Sequence, residues 1–342
     1  MFYEPKNGYP FEIDPLNALV FPRPIGWISS LSQKGIPNLA PYSFFNAVAY
    51  TPPQVMFAAS FKPDTKNYKD SVDNILKTKE FESEVSRLFN QDYGLMVNSG
   101  SSALYLAIES IGLEKDSEVI TPVLTFATTV GCLVKNSLIP VFVDVSPNTY
   151  CINTDLVQEK ISEKTKAILA PNLIGNICEW HKLREIADKN NLILIEDSAD
   201  TLGATLNGTS TGSFCDLSIT SFYGSHIING AGNGGMLCTS NKSVYEKAKL
   251  LRSWGRASSL FSDSESIEDR FKIKLEGIDY DAKFVFEEIG YQLESSEISA
   301  AFALIQLKNL SNNIKRRQEI FEKHTKFLSY YSQWISLPQQ TV

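Results

Sequence analysis

The 342-residue chain is 43% apolar and 21% charged, with a formal net charge of −7. The acidic balance argues against nucleic acid or an anionic membrane as the main partner. The sequence lacks an apolar run of about 18 residues and a signal peptide, so we expect a cytoplasmic protein without a membrane span.

Five cysteines and three histidines are spread along the chain. No two cysteines form a C-x-x-C pair, and no two histidines are closely spaced. Reduced, mostly buried thiols are therefore expected. A histidine-based metal site is not expected.

Residues 1–80 differ from the rest of the chain. Short apolar segments at Ile25–Ser30, Ala47–Tyr50 and Val55–Ala59 are interrupted by proline and glycine. This pattern predicts short strands and turns.

Three strings in this region resemble the start of the flavin-reductase-like FMN-binding split-barrel family. They are PRPIGWISS (22–30), NLAPYSFFNAV (38–48) and KDSVDNI (69–75). The resemblance covers about half of such a domain, without the strands that would close the barrel. It implies a partial split-barrel segment over residues 1–80, with FMN as its cofactor.

Short apolar strands alternate with helical segments over residues 81–310. Leu104, Ala107, Ile108 and Ile111, for example, recur at helical spacing. The alternation predicts an α/β fold with a seven-stranded, mostly parallel sheet covered on both faces. The predicted strands are Gly94–Val97, Glu118–Ile120, Ile139–Val145, Ala167–Ala170, Leu192–Ile195, Leu217–Phe222 and Gly235–Cys238.

Two more helices are predicted towards the end of the sequence. Over residues 295–310, the side chains of Ile298, Ala301, Phe302 and Ile305 share the apolar face of an amphipathic helix. A basic, then aromatic, helix is predicted over residues 312–331.

Polar segments follow three of the predicted strands, where ligands bind in parallel sheets. Ser99–Ser102 could bind phosphate at a helix N-terminus or could simply cap the helix. Asp197 could hold a cationic ring nitrogen, could cap a helix or could be a surface acid. His226 could be catalytic or structural, and we expect all three segments to line one site.

Together these segments resemble the DegT/StrS family of nucleotide-sugar aminotransferases, which are fold-type-I pyridoxal-phosphate (PLP) enzymes. The matching strings are NSGSSAL (98–104), TPVLTFATT (121–129), SFYGSH (221–226) and GYQLESSEISAAFALIQL (290–307). The resemblance implies that serines bind the cofactor's phosphate, an aromatic ring stacks on its pyridine, and an aspartate pairs with the pyridine nitrogen. The implied cofactor-binding residues are Gly100, Ser101, Ser102, Phe126, Asp197, Asp200 and Ser221.

His226 stands where that family has the lysine that holds the cofactor covalently. No lysine occurs between Lys189 and Lys242 to replace it. Imidazole cannot make this attachment, but it can move protons near neutral pH. The 4-keto-6-deoxy-hexose 3-dehydratases, a branch that uses pyridoxamine phosphate (PMP), have histidine here. The resemblance therefore implies His226 as the catalytic base.

The same resemblance implies the substrates and the assembly. We expect a nucleotide-linked 4-keto-6-deoxy hexose, an amino donor such as glutamate, a homodimer, and a role in lipopolysaccharide O-antigen synthesis. No cysteine follows Trp254-Gly255-Arg256, so the iron–sulfur cluster of one sub-branch is not expected.

Several positions depart from the family pattern. Gln292 stands where asparagine reaches the neighbouring subunit, and Asn233 stands where glutamate is usual. Residues 311–342 would be the start of a truncated small domain. A sugar aminotransferase, an FMN-binding flavin reductase and an inactive chimeric fragment therefore remain as alternatives.

Overall fold

The computed structural model describes residues 26–31, 37–42, 45–50, 53–57, 77–261, 267–337, 339 and 341. Contacts divide the chain into two units, Met1–Leu76 and Lys77–Val342. The division falls just before the first described helix and close to the boundary expected near residue 80.

Two antiparallel hairpins make up the described part of the first unit. Strand β1 (Gly26–Leu31) pairs with β2 (Pro37–Tyr42), and β3 (Phe45–Tyr50) pairs with β4 (Pro53–Phe57). The predicted short strands are confirmed. The structure describes only the strands of this region and not its side chains. The FMN site that the flavin-reductase resemblance implies therefore lies outside what the structure describes.

Strands and helices alternate along the second unit, as the sequence predicts. Its strands are β5 (Tyr93–Val97), β6 (Glu118–Pro122), β7 (Ile139–Val143), β8 (Thr165–Pro171), β9 (Ile193–Asp197), β10 (Thr205–Leu206), β11 (Thr209–Ser210), β12 (Leu217–Ser221), β13 (Gly235–Thr239), β14 (Ile273–Leu275) and β15 (Ile278–Tyr280). Its α-helices are α1 (Thr78–Leu88), α2 (Gly100–Ser110), α3 (Ala127–Lys135), α4 (Thr154–Val157), α5 (Trp180–Asn190), α6 (Lys242–Arg252), α7 (Ile267–Arg270), α8 (Glu297–Lys308) and α9 (Leu310–Ser329).

Within the described residues, seven strands form one sheet in the order β5-β13-β12-β9-β8-β6-β7. Strands β12, β9, β8, β6 and β7 pair in parallel, whereas β13 runs antiparallel to both of its neighbours. The predicted mostly parallel sheet and its seven strands are confirmed. The parallel strands bring the segments that follow β9 and β12 to one edge of the sheet.

Side chains from both faces of the sheet are buried under helices. In β6, Val119 packs with α2 in one cluster, whereas the next residue, Ile120, packs with α5 in another. This alternation is the period of two that a strand imposes on its side chains. Both residues have no exposed surface, as expected for a sheet covered on both faces.

The predicted helix is α8, but its apolar face does not pack fully against the core. Ile298 and Ile305 are 57% and 61% exposed, whereas Ala300, Ala303 and Leu304 are buried. The small alanine side chains let α8 approach α1, and they join the cluster that contains Phe81 and Val85. Apolar spacing indicated the helix, but residue size decided which face packs.

No helix in the described ranges is both long enough and apolar enough to cross a membrane.

Candidate active site

The N-terminus of α2 follows directly from the edge strand β5. Ser99 caps the helix, because its Oγ accepts from the Ser102 N–H over 3.1 Å. The Ser102 hydroxyl donates to Asn98 Oδ1 at 2.6 Å, so this side chain serves the turn itself. Both the capping role and the anion-binding role that the sequence left open are compatible with this turn, since a capped helix still presents backbone N–H groups.

Ser221, the last residue of β12, lies against the start of α2. A Cβ added at Gly100 would sit 2.6 Å from Ser221 Cβ and 3.0 Å from its Oγ. Glycine is therefore required for this close approach. Ser221 is 6% exposed, and its Oγ accepts from the Tyr223 N–H at 3.3 Å. A hydroxyl beside a helix N-terminus is a suitable cradle for a phosphate group.

The start of α3 connects two parts of the candidate site. The Thr128 hydroxyl lies 3.3 Å from that of Ser101, and the Thr129 hydroxyl donates to Asp197 Oδ2 at 3.2 Å. Phe126 immediately precedes the helix, and its ring is 70% exposed. The loop that carries the predicted stacking ring is thus tied both to the α2 turn and to the acid.

Asp197 ends β9 and is buried. Its Oδ1 accepts from the Ala199 N–H at 3.2 Å, and Thr129 bonds to its other oxygen. Burial raises the pKa of Asp197 to about 6, against the opposing effect of these two donors, and Asp200 and Glu196 raise it further. A buried carboxyl without a cation is well placed to bind a protonated ring nitrogen, which would restore its ordinary ionisation.

His226 lies in the turn after β12, where its N–H donates to the Tyr223 carbonyl at 3.0 Å. Its Nε2 is 3.8 Å from Asp200 Oδ1, and the Tyr223 ring meets the imidazole edge-on. Its Nδ1 is buried without a hydrogen-bond partner in the described structure. A buried ring nitrogen without a partner among the described residues has a lone pair or a proton to offer to a bound molecule.

Asp200 connects the histidine to a second loop. Its Oδ2 accepts from the Ile174 N–H at 3.2 Å, and Ile174 has a positive φ of 59°. The strand order predicted that the segment Asp197–Asp200 would lie beside Ser221–His226. The family resemblance alone assigned Asp200 to the cofactor. The contact of Asp200 with His226 arises because β9 and β12 are neighbours in the sheet. The spacing of the two residues in the sequence does not predict this contact.

Glu196 is a buried acid that the sequence analysis missed. It is fully buried and accepts from Asn172 Nδ2 at 2.8 Å and from Ser218 Oγ at 2.7 Å. Burial raises its pKa against these donors. Adjacent strand residues point to opposite faces, so Glu196 braces the loop at Asn172 while Asp197 faces the site.

All five cysteines are free and buried, as expected. The part of the chain that the structure describes contains no cluster of histidine, cysteine and acidic residues suited to a metal. The described side chains fit a phosphorylated pyridine cofactor. The residues predicted to hold it remain Gly100, Ser101, Ser102, Phe126, Asp197, Asp200 and Ser221.

The sheet order is that of the large domain of the fold-type-I PLP-dependent transferases, as in the solved structure described below. The chain belongs to the DegT/DnrJ/EryC1/StrS aminotransferase family, whose model matches residues 69–340. The match begins within the first unit, about a dozen residues before the resemblance seen in the sequence.

Curated relatives include two proteins of sugar metabolism. The dTDP-4-dehydro-2,6-dideoxy-D-glucose 3-dehydratase of Saccharopolyspora spinosa is 36% identical over 244 residues, which are 68% of this chain and 53% of that protein. The lipopolysaccharide biosynthesis protein RfbH of Salmonella typhimurium is 34% identical over 272 residues, which are 76% of this chain and 62% of that protein. The chain thus spans between half and two thirds of the length of these relatives.

Among solved structures, a histidine mutant of GDP-4-keto-6-deoxymannose-3-dehydratase with bound GDP-perosamine superposes with a TM-score of 0.68. It is 28% identical, and the match covers 77% of this chain and 68% of that one. These comparisons support PLP or PMP as the cofactor. They give no support to the flavin-reductase resemblance or to FMN.

Proposed function

We propose that the chain is a PMP-dependent 3-dehydratase of a nucleotide-linked 4-keto-6-deoxy hexose in surface polysaccharide synthesis. The observation that carries the proposal is the imidazole of His226 at the end of β12, where a lysine would otherwise hold the cofactor. The names of the relatives support the substrate class, since they include a 3-dehydratase of a dTDP-linked keto sugar. GDP-4-keto-6-deoxymannose-3-dehydratase is a structural neighbour.

Different residues of the chain would bind different parts of the cofactor. The α2 N-terminus and the Ser221 hydroxyl would bind the phosphate, and Phe126 would cover one face of the ring. Ionised Asp197 would keep the ring nitrogen protonated. When bound, the cofactor would supply an amine for the sugar ketone and an electron sink for the departing hydroxyl.

His226 would move the proton. Asp200 lies at the Nε2 edge of the ring, which favours the tautomer with its proton on Nε2. Nδ1, which has no partner among the described residues, would then carry the lone pair that accepts a proton. Imidazole can accept and return a proton near neutral pH, which suits it to the role of a catalytic base.

Purified protein should release ammonia when supplied with PMP and a GDP- or dTDP-linked 4-keto-6-deoxy sugar. His226→Asn should abolish this release while still binding PMP, because the phosphate and ring contacts remain. Full activity in that variant would overturn the assignment. His226→Lys, reduced with borohydride in the presence of PLP, should gain the cofactor's mass at residue 226.

A sugar aminotransferase is the second candidate, because GDP-perosamine synthases are also relatives, for instance that of Escherichia coli O157:H7 at 29% identity. Supplied with glutamate and the same keto sugar, an aminotransferase would yield an amino sugar without ammonia. The proposed dehydratase would use glutamate only to regenerate PMP. The homodimer belongs to the same proposal and would be measured by sedimentation.

A further inference from the structure

Arg317 on α9 joins that helix to the turn that carries His226. Its Nη2 donates to the His226 carbonyl oxygen over 3.0 Å and lies 3.4 Å from the Ser225 carbonyl oxygen, which accepts a second bond. The two N–H groups of Nη2 lie in the guanidinium plane, so bonds from this nitrogen to two successive carbonyls restrain the backbone of the turn.

The turn itself has little packing to fix its shape. Tyr223, Gly224 and Ser225 are exposed. The His226 N–H donates to the Tyr223 carbonyl, and the Gly230 N–H donates to the Phe222 carbonyl at the base of the turn, but neither bond uses the carbonyl of Ser225 or of His226. Ile228, two residues further on, is buried in the apolar cluster beneath. The peptide between Ser225 and His226 therefore depends on a contact from outside the turn.

The first half of α9 also lies against the segment that carries Asp200. A Cβ added at Gly203 would be 3.2 Å from Leu310 Cδ2 and 3.7 Å from Ile314 Cδ1. Leu310 is buried in the cluster that also contains Ile228. One helix thus packs beside both members of the Asp200–His226 pair.

We propose that Arg317 is a positioning residue that holds the His226 turn in the orientation in which the imidazole faces Asp200. This inference rests on the proposed function, in which His226 moves the proton. A shift of about 1 Å in a reacting group can lower a rate by about 100-fold. A restraint on the backbone of the base should therefore affect kcat more than substrate binding.

Arg316 provides a matched control on the same helix. It is one residue away, has the same charge and is exposed like Arg317, but it donates to Glu319 Oε2 within α9 at 3.1 Å. Arg317→Gln and Arg316→Gln remove the same charge from neighbouring positions. Only the first removes the bonds to the turn.

The test is amide hydrogen exchange over residues 223–228 in the protein without substrate. Arg317→Gln should speed exchange about tenfold, the effect of losing one charge-assisted hydrogen bond. Arg317→Lys should restore part of the protection, and Arg316→Gln should exchange like the wild type. Unchanged exchange in Arg317→Gln, or equal acceleration in Arg316→Gln, would overturn the inference.

A second readout follows the histidine directly. The chain has three histidines, so the imidazole resonance of His226 can be assigned by its disappearance in His226→Asn. Arg317→Gln should shift this resonance and lower kcat about tenfold with KM for the nucleotide sugar unchanged. If His226→Asn kept full activity, the proposed function would fail, while the exchange result would still decide whether Arg317 holds the turn.

Discussion

The Thr129 hydroxyl donates to Asp197 Oδ2 at 3.2 Å from the first turn of α3, with Thr129 fully buried. This bond favours the ionised acid and lowers its pKa against the effect of burial. It links the aromatic loop before α3 to the acid at the end of β9. The ionisation of Asp197, and with it the affinity for a cationic ring, therefore depends on a residue 68 positions earlier in the chain.

Thr129→Val should weaken PMP binding about tenfold, because it removes a hydrogen bond to a charged group without changing the side chain's shape. Titration of the apoprotein with PMP would measure the change. Thr154→Val is the control, since Thr154 is also buried and donates to Glu179 at 2.6 Å, away from the site. Equal loss of PMP affinity in both variants would mean that the effect is general instability.

Asp197→Asn should change how stability depends on pH. Folding raises the pKa of Asp197 from 3.8 to about 6, so the folded wild type holds a proton that the unfolded chain releases. The stabilisation from this proton is fully present below about pH 4 and is lost as the pH rises through about 6. Asparagine carries no such dependence, so the free energy of unfolding of the variant should rise by about 2 kcal/mol relative to that of the wild type between about pH 4.5 and about pH 7.5.

Urea unfolding of both proteins at about pH 4.5 and about pH 7.5 would measure the difference. Asp155→Asn is the control, because its side chain is 82% exposed. Saturating PMP should reduce the gain of Asp197→Asn at the higher pH, since a ring cation would stabilise the ionised acid. A difference that stays constant with pH would contradict the raised pKa.

The parts of the fold that rest on local pattern could be predicted from sequence. Short apolar runs bounded by polar turns predicted all seven strands of the sheet. A strand covered on both faces buries every side chain and is therefore a nearly continuous apolar run. The face of α8 could not be predicted in this way. Ile298 and Ile305 have the expected spacing, but the helix packs through Ala300 and Ala303, where close approach matters more than hydrophobicity.

In the candidate site, too, local sequence pattern predicted some residues, whereas tertiary packing determined others. Asp197 and His226 could be selected because they follow apolar strands, and the resemblance supplied their roles. The contacts of Asp200 with His226 and of Arg317 with the His226 carbonyl join segments distant in sequence, so they depend on how β9, β12 and α9 pack. Glu196 was missed because a carboxylate inside an apolar strand gives no sign of the side to which it points.

Glu82 and Arg252 form a buried ion pair beside the edge strand β5, and its contribution to stability can be measured. Glu82 Oε1 accepts from the Met96 N–H at 2.8 Å and from Arg252 Nη1 at 3.1 Å, and the two side chains are 13% and 15% exposed. Burial raises the pKa of Glu82 even against the attraction of Arg252. Glu82→Ala should therefore destabilise the protein by about 3–5 kcal/mol, since it leaves a largely buried guanidinium without its partner.

Glu82→Gln keeps the acceptor for Met96 and should cost about 1 kcal/mol. Denaturant unfolding of both variants would measure these losses. The double variant Glu82→Ala with Arg252→Met should be more stable than Glu82→Ala alone, because no unpaired charge is left. A double variant as unstable as the sum of its parts would show that the pair acts through packing instead.

Gly100→Ala tests whether phosphate binds between the N-terminus of α2 and the Ser221 hydroxyl. The new methyl group would lie 2.6 Å from Ser221 Cβ, so either the start of α2 or the end of β12 must shift. Such overpacking costs about 1–3 kcal/mol. The shift would separate the helix N–H groups from the Ser221 hydroxyl, and we expect PMP and inorganic phosphate to bind at least about tenfold more weakly.

Gly131→Ala is the matched control within helix α3. A Cβ there would meet only the Tyr105 hydroxyl, at an ordinary 3.6 Å. Alanine favours a helix over glycine by about 1 kcal/mol, so this variant should be as stable as the wild type or more stable. Phosphate protection against thermal unfolding should persist in Gly131→Ala and disappear in Gly100→Ala. If Gly100→Ala kept that protection, the anion would have to bind elsewhere, because the close contact of Gly100 with Ser221 leaves no room for a methyl group without displacing the cradle.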